Sequence, residues 1–307
     1  MRKMIPVLFG LGGFLLVAGL VALLWAPGVA KKTPIDVTSV THLSGQAAKL
    51  NVATGELESN PVKAISTTKT DSKVSDDNVV AFTNSSCLVI DKDDVSDCVD
   101  GNDERLISAS TDVFATDRDT ALAVNKGKYL PADAVDHEGL INKWPFDAEK
   151  KTYPYWDGTA GKAVDAEYVR TVKVEGLETY LYKVEVTGAP IQIAEGVDGT
   201  YDDVKEIYVE PKTGAIVKQV DDQQRALASG DQVLDLQLAF TDAQVKTSVN
   251  EAKDNVATLS LLTGTIPLVG IVGGLICLIG GVLLLLRGRR DDGDSAPGVS
   301  LRKPAHV

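Results

Sequence analysis

The stretch IPVLFGLGGFLLVAGLVALLWA, residues 5–26, carries no charged side chain, and neither does LLTGTIPLVGIVGGLICLIGGVLLLL, residues 261–286. Each exceeds the roughly 20 residues that a helix rising about 1.5 Å per residue needs to cross a hydrocarbon core of about 30 Å. The polar remainder lies between the two runs or just past the second. The pattern predicts two transmembrane helices holding a domain of residues 27–260 between them. A short N-terminus, residues 1–4, precedes the first span, and residues 287–307 form a tail without an apolar face.

Arg2 and Lys3 precede the first span, and Arg287, Arg289 and Arg290 follow the second. The positive-inside bias then puts both termini in the cytoplasm and the middle outside the plasma membrane. Lys31 and Lys32 oppose this orientation, two against five. Gly28-Val29-Ala30 offers small residues of the kind a signal peptidase reads, but the apolar run before it is longer than the usual 7–15 residues. The middle domain is exported under either reading.

Between the spans, 40 acidic side chains face 24 basic ones. That excess disfavours nucleic acid and bare anionic headgroups as partners of the domain as a whole. Cys87 and Cys98 are the only cysteines there, and an oxidising exterior lets them pair. Closing so short a loop is worth on the order of 2–3 kcal/mol.

From Pro27 to about Asp221 the pattern is mostly strand. Ile35 to Val40 alternates, Val79–Phe82 and Leu88–Ile90 are short apolar runs, and Tyr168 to Val186 is dense in Val, Tyr and Thr. Turns are expected at Glu175-Gly176 and at Pro211-Lys212-Thr213-Gly214. Thr241-Asp242-Ala243-Gln244 has the capping-box pattern, and Val245, Val249, Ala252, Val256 and Leu259 then recur at helical spacing. This predicts an amphipathic linker helix over 241–260, with Gly264 and Pro267 as kink positions beyond it. The fold expected is α+β: a curved, mainly antiparallel sheet with few helices, flanked by two membrane helices.

Gly270 and Gly274 form a G-x-x-x-G in the second span, and Ala18, Ala22 and Ala26 share a face of the first. Such faces serve packing of the two spans, a homodimer, or docking on a membrane-protein partner. No ionisable residue lies inside either span, which argues against an ion pathway through them.

Chemistry is sparse. The histidines are His42, His137 and His306, and there is no G-x-S-x-G, H-E-x-x-H, P-loop or C-x-x-C. Neither enzymatic activity, a metal centre nor a cofactor is expected. The acidic residues 91–104 depart from the EF-hand order, since the Gly and terminal Glu are misplaced, and read first as a solvated loop pinned by the disulfide. Calcium binding there is the sharper alternative.

Residues 143–157, KWPFDAEKKTYPYWD, hold two of the three tryptophans, and two prolines keep the segment extended or turned. Trp144, Phe146, Tyr153, Tyr155 and Trp156 offer aromatic area with polar tips, suited to lining a lipid or sugar pocket. The alternative is a crossing loop that plugs one end of a curved sheet.

The Trp144-Pro145-Phe146 and Tyr153-Pro154-Tyr155-Trp156-Asp157 elements, the hairpin Tyr208–Gly214, the stretch Ala239–Asp242 and the terminal spans together resemble the actinobacterial porin PorA family. The resemblance implies an exported β-rich domain of the cell envelope, associated in mycolate-bearing relatives with glycolipid handling, and brings no catalytic residue. The function expected is a non-catalytic, membrane-anchored domain that binds lipid or glycolipid in envelope biogenesis or transport. A scaffold or accessory subunit of an envelope transport complex is the alternative. A porin-like channel component is disfavoured, because the strand-like runs carry charge throughout where a lipid-facing barrel needs an apolar outer face.

Overall fold

The computed structural model describes residues 4–291, with side chains through Arg287. Arg2, Lys3, His306 and the tail from residue 292 lie outside the described residues, as do the side chains of Arg289 and Arg290. Two compact units result: the apolar helices, up to Ala30 and from Ala257, and a sheet domain over Lys31–Val256.

In the helical unit, α1 (Met4–Ala30) packs along α3 (Ile266–Asp291). Both helical segments are long and apolar enough to cross a membrane. Contact is made where side chains are missing. A Cβ on Gly274 would meet Leu16 Cγ at 2.7 Å and Gly12 O at 2.8 Å, and one on Gly270 would meet Gly19 Cα at 2.9 Å. On α1 the buried positions are Gly12 and Gly19, whereas Ala18 is exposed. The G-x-x-x-G face is thus taken up within the chain, opposite glycines rather than the alanine stripe. Gly274→Leu is expected to separate the helices at an overpacking cost of about 1–3 kcal/mol. Cysteine cross-linking between engineered α1 and α3 positions in membranes checks this, and undiminished cross-linking would refute it.

The sheet domain has ten antiparallel strands: β1 (Thr38–Asn51), β2 (Glu56–Thr70), β3 (Val79–Ile90), β4 (Leu106–Asp117), β5 (Tyr153–Asp157), β6 (Lys162–Val174), β7 (Leu177–Ala194), β8 (Val197–Val209), β9 (Ile216–Leu227) and β10 (Gln232–Phe240). Their order is β4-β3-β2-β1-β10-β9-β8-β7-β6-β5. Two meanders, β1–β4 and β5–β10, therefore meet where β1 pairs with β10 (Ala47 opposite Leu236). The chain leaves one edge at β4 and re-enters at the other edge, β5. At about 4.8 Å per strand the two edges of a flat sheet of ten lie some 43 Å apart, so residues 118–152 must cross a face of the sheet.

The sheet is curled into a half-barrel. Asp157 on β5 lies three strands from β8, roughly 14 Å along a flat sheet, yet its Oδ2 is 3.3 Å from both Lys205 Nζ and Tyr201 Oη on β8. Register assigns Ala47, Val62, Leu88, Leu236, Lys205 and Tyr182 to this inner face. On the outer face Gln46, Glu185, Asp222, Gln224 and Gln237 are exposed.

Local chemistry explains the joints. Glu175 and Gly176, both at positive φ (47° and 78°), make the two-residue β6–β7 turn. In the β8–β9 turn Glu210 Oε2 accepts from Thr213 N and Thr213 Oγ1 (2.8 and 2.6 Å). Val79–Phe82 and Leu88–Ile90 prove to be the two ends of one strand, because Asn84 and Ser86 between them are held by hydroxyl partners on β2 and β4. Helix α2 (Asp242–Ser260) lays Val245, Val249 and Ala252 on the outer face against Leu181, Tyr208 and Val217. Only half of the expected capping box forms: Thr241 Oγ1 accepts from Gln244 N (3.1 Å), but Gln244 Oε1 accepts from His42 N (3.1 Å) and so ties the helix to β1. A π turn, Leu261–Thr265, includes Gly264, one of the two expected kink positions.

Candidate functional site

The inner face divides in two. Over β5–β8 it is covered. Ala121, Leu140, Trp144 and Ala148 of the crossing segment pack on Tyr153, Tyr155, Ala166, Tyr182, Val184, Ile207 and Val209. Trp144 is fully buried, 5.5 Å from the Tyr155 ring and 5.0 Å from that of Tyr182. Tyr182 Oη donates to Glu149 O (2.7 Å) and Glu149 N donates to Tyr153 Oη (2.8 Å), which locks the cover to the sheet. Isolated bridges Thr116–Ala123, Leu122–Leu140 and Leu140–Tyr155 link both edge strands through the same segment.

Of the five aromatic residues singled out in the sequence, Trp144, Tyr153 and Tyr155 are therefore core: Trp144 lies against Tyr155, and Tyr153 joins them through Tyr182. Phe146 is half-buried under the Lys143 ammonium, 3.9 Å from its ring centre. Trp156 is half-buried at 4.7 Å from the ring of His137, whose Nε2 lies 2.9 Å from Asp112 Oδ2.

Over β1, β10, the adjoining part of β2 and the Leu88 end of β3 the inner face is different, whereas Val80 and Phe82 at the other end of β3 pack on Ile141 of the crossing segment. Ala47, Val62, Leu88, Leu234 and Leu236, with half-buried Ala64, Ile107 and Leu238, form one cluster contributed by the sheet alone. Curvature buries them, and no residue of the crossing segment joins them among the described residues.

Between the two halves sits a charge cluster that composition did not single out. Lys205 Nζ is 2.9 Å from Asp203 Oδ2, 3.3 Å from Asp157 Oδ2 and 3.5 Å from Asp221 Oδ2, and all four residues are buried. The Asp203 contact is close enough for an ion pair but misaligned as a hydrogen bond, and both its oxygens lack a hydrogen-bond partner among the described residues. Burial pushes the Asp203 carboxyl up to about 7 despite the nearby ammonium, and the Asp221 carboxylate reinforces the shift. The three carboxylates hold Lys205 well above its ordinary value against the cost of its burial. The signal was present in β8, where Asp203 and Lys205 share strand parity with Tyr201, Ile207 and Val209 and so fall on an apolar face.

Cys87 and Cys98 are disulfide-bonded, with Cα atoms 5.6 Å apart. The loop that follows β3 folds Val95 and Val99 onto Val89 and Ile65 of the outer face. Three of its carboxylates face basic groups. Lys63 Nζ lies 3.8 Å from Asp91 and 3.7 Å from Asp97, and the Arg105 guanidinium holds the Asp103 carboxyl down to about 2.

A family model described as Porin PorA matches residues 6–283, nearly the whole chain. The chain belongs to the porin PorA family. No curated protein matches it. Membership accords with the two apolar helices, and the family's description names the porin-like alternative. The outer face of this PorA-family sheet is lined with exposed Gln, Asp and Glu, which a strand facing hydrocarbon does not carry.

Proposed function

We propose that this PorA-family protein is a non-catalytic, two-pass component of the cell envelope whose curled sheet holds a lipid or glycolipid on its inner face. The observation that supports the reading is the strand-only apolar cluster on β1, β2, β3 and β10, beside a half of the same face that the chain covers for itself. A concave apolar surface tethered at both ends to a bilayer suits an acyl chain. Both termini are cytoplasmic and the sheet domain lies outside in this reading, and no step of chemistry is assigned to it.

The test is mass spectrometry of lipid extracted from the full chain purified in mild detergent. Wild type is expected to carry bound lipid, and Leu238→Arg, at a half-buried cluster position, is expected to lose most of it without losing the fold. Lipid-free wild type, or equal lipid in the variant, would count against the proposal. The family's description supports a second reading, a channel component assembled from several copies. Single-channel steps from the purified chain in planar bilayers would favour that one, and a transport complex co-purifying without lipid would favour the scaffold.

A further inference from the structure

Although the sheet domain is acidic, the residues just past α1 gather cations. Thr33, 7% exposed, donates from its N to Arg118 O (2.9 Å), and Arg118 Nε donates back to Thr33 O (2.7 Å). Lys143 Nζ donates to Thr33 Oγ1 at 3.2 Å. Arg118 Nη1 reaches the carbonyls of Asp76 and Asp77 (3.1 and 3.4 Å), and Lys32 Nζ reaches the same Asp77 carbonyl at 2.9 Å. Three cations from separate parts of the chain thus converge on neutral oxygens.

Three of the carboxylates close by are engaged elsewhere. Asp147 pairs with Lys31, Asp76 accepts from Lys128 and Tyr129, and Asp117 caps its own turn through Thr120. Burial without a carboxylate partner holds the Lys143 amine down to about 8. Thr33 follows Ala30, the last residue of α1, by three residues.

We propose that Lys32, Arg118 and Lys143 form a binding site for a phosphate-bearing anion, the group that an anionic lipid headgroup and free phosphate share. A phosphate accepts charge-assisted hydrogen bonds from all three cations, Arg118 contributing through Nη2 because its Nε and Nη1 donate to backbone carbonyls. The site is separate from the inner apolar cluster: it takes a phosphate group by charge, whereas the cluster takes an acyl chain by apolar contact. Either can fail without the other.

The full chain in neutral detergent is titrated with mixed micelles of phosphatidylglycerol or phosphatidylcholine, and separately with inorganic phosphate. The readouts are melting temperature and amine labelling at Lys143 mapped by mass spectrometry. Phosphatidylglycerol is expected to raise the melting temperature and protect Lys143 while phosphatidylcholine does neither. Lys32→Gln and Lys143→Gln, each removing one donor that bonds a single oxygen here, are expected to weaken phosphatidylglycerol binding about 5- to 10-fold. Protection by inorganic phosphate as strong as that by the lipid would support the site and make its source a soluble anion. Equal responses to the two lipids with none to phosphate, or undiminished binding and labelling protection in both variants, would overturn it.

Discussion

Lys205→Met is expected to destabilise the sheet domain by about 3–5 kcal/mol at neutral pH, since removing one partner of a buried ion pair leaves charge without compensation. Here one ammonium serves Asp157, Asp203 and Asp221, which arrive from β5, β8 and β9, so its loss strands three carboxylates and unties the strands they hold. Tyr201 and Tyr155, which also lie around Lys205, are neutral phenols whose ionisation burial pushes further up, so neither replaces the lost charge. Wild type should itself respond to pH. The folded Asp203 carboxyl titrates at about 7 against an ordinary 3.8. A folded value above the unfolded one means stability fully present below about pH 4 and lost as pH rises through about 7. Melting of the detergent-solubilised chain should therefore be higher at pH 5 than at pH 8, and Asp203→Asn should flatten the difference. A wild-type slope of opposite sign, or an unchanged slope in Asp203→Asn, would refute the assignment.

Much of this architecture was legible because its causes are local. Uncharged runs of hydrocarbon length specify the helices, Glu175-Gly176 and Pro211–Gly214 specify turns whatever surrounds them, and two cysteines in the sheet domain leave one pairing. What sequence did not reveal depends on distant partners. The strand order follows from β1 meeting β10, nearly 200 residues apart, and only that pairing sends residues 118–152 across a face of the sheet. Asp157 and Lys205 meet because the sheet curls, which no spacing between them encodes. The Gln244 side chain serves its own helix only through Nε2, which donates to Ser248 Oγ, while its Oε1 accepts from His42 N on the neighbouring strand. The alternation of Leu234, Leu236 and Leu238 was readable as a strand face, but its burial in a cluster of sheet residues alone was not.

Trp144→Ala is expected to cost about 3–5 kcal/mol, the range for emptying a large aromatic from a packed core. The indole lies against Tyr155 and Tyr182, and its backbone is fixed as well: Trp144 N donates to Gly214 O at 2.9 Å. Gly214, at φ 73°, has no side chain, and a Cβ there would collide with the Trp144 carbonyl. The crossing segment and the β8–β9 turn are thus one joint, and neither can move to fill the hole. Trp144 Nε1 has no acceptor among the described residues, so Trp144→Phe gives up area but no hydrogen bond and should cost less than half as much. Denaturant melts of both variants measure the pair. Lipid content of the phenylalanine variant then separates the two roles considered for the aromatic segment. If the segment only covers the sheet, Trp144→Phe keeps its bound lipid while Leu238→Arg loses it. If Trp144→Phe instead melts like wild type yet arrives empty, the ligand lies against Trp144, Phe146, Tyr153, Tyr155 and Trp156, and the strand-only cluster is not its seat.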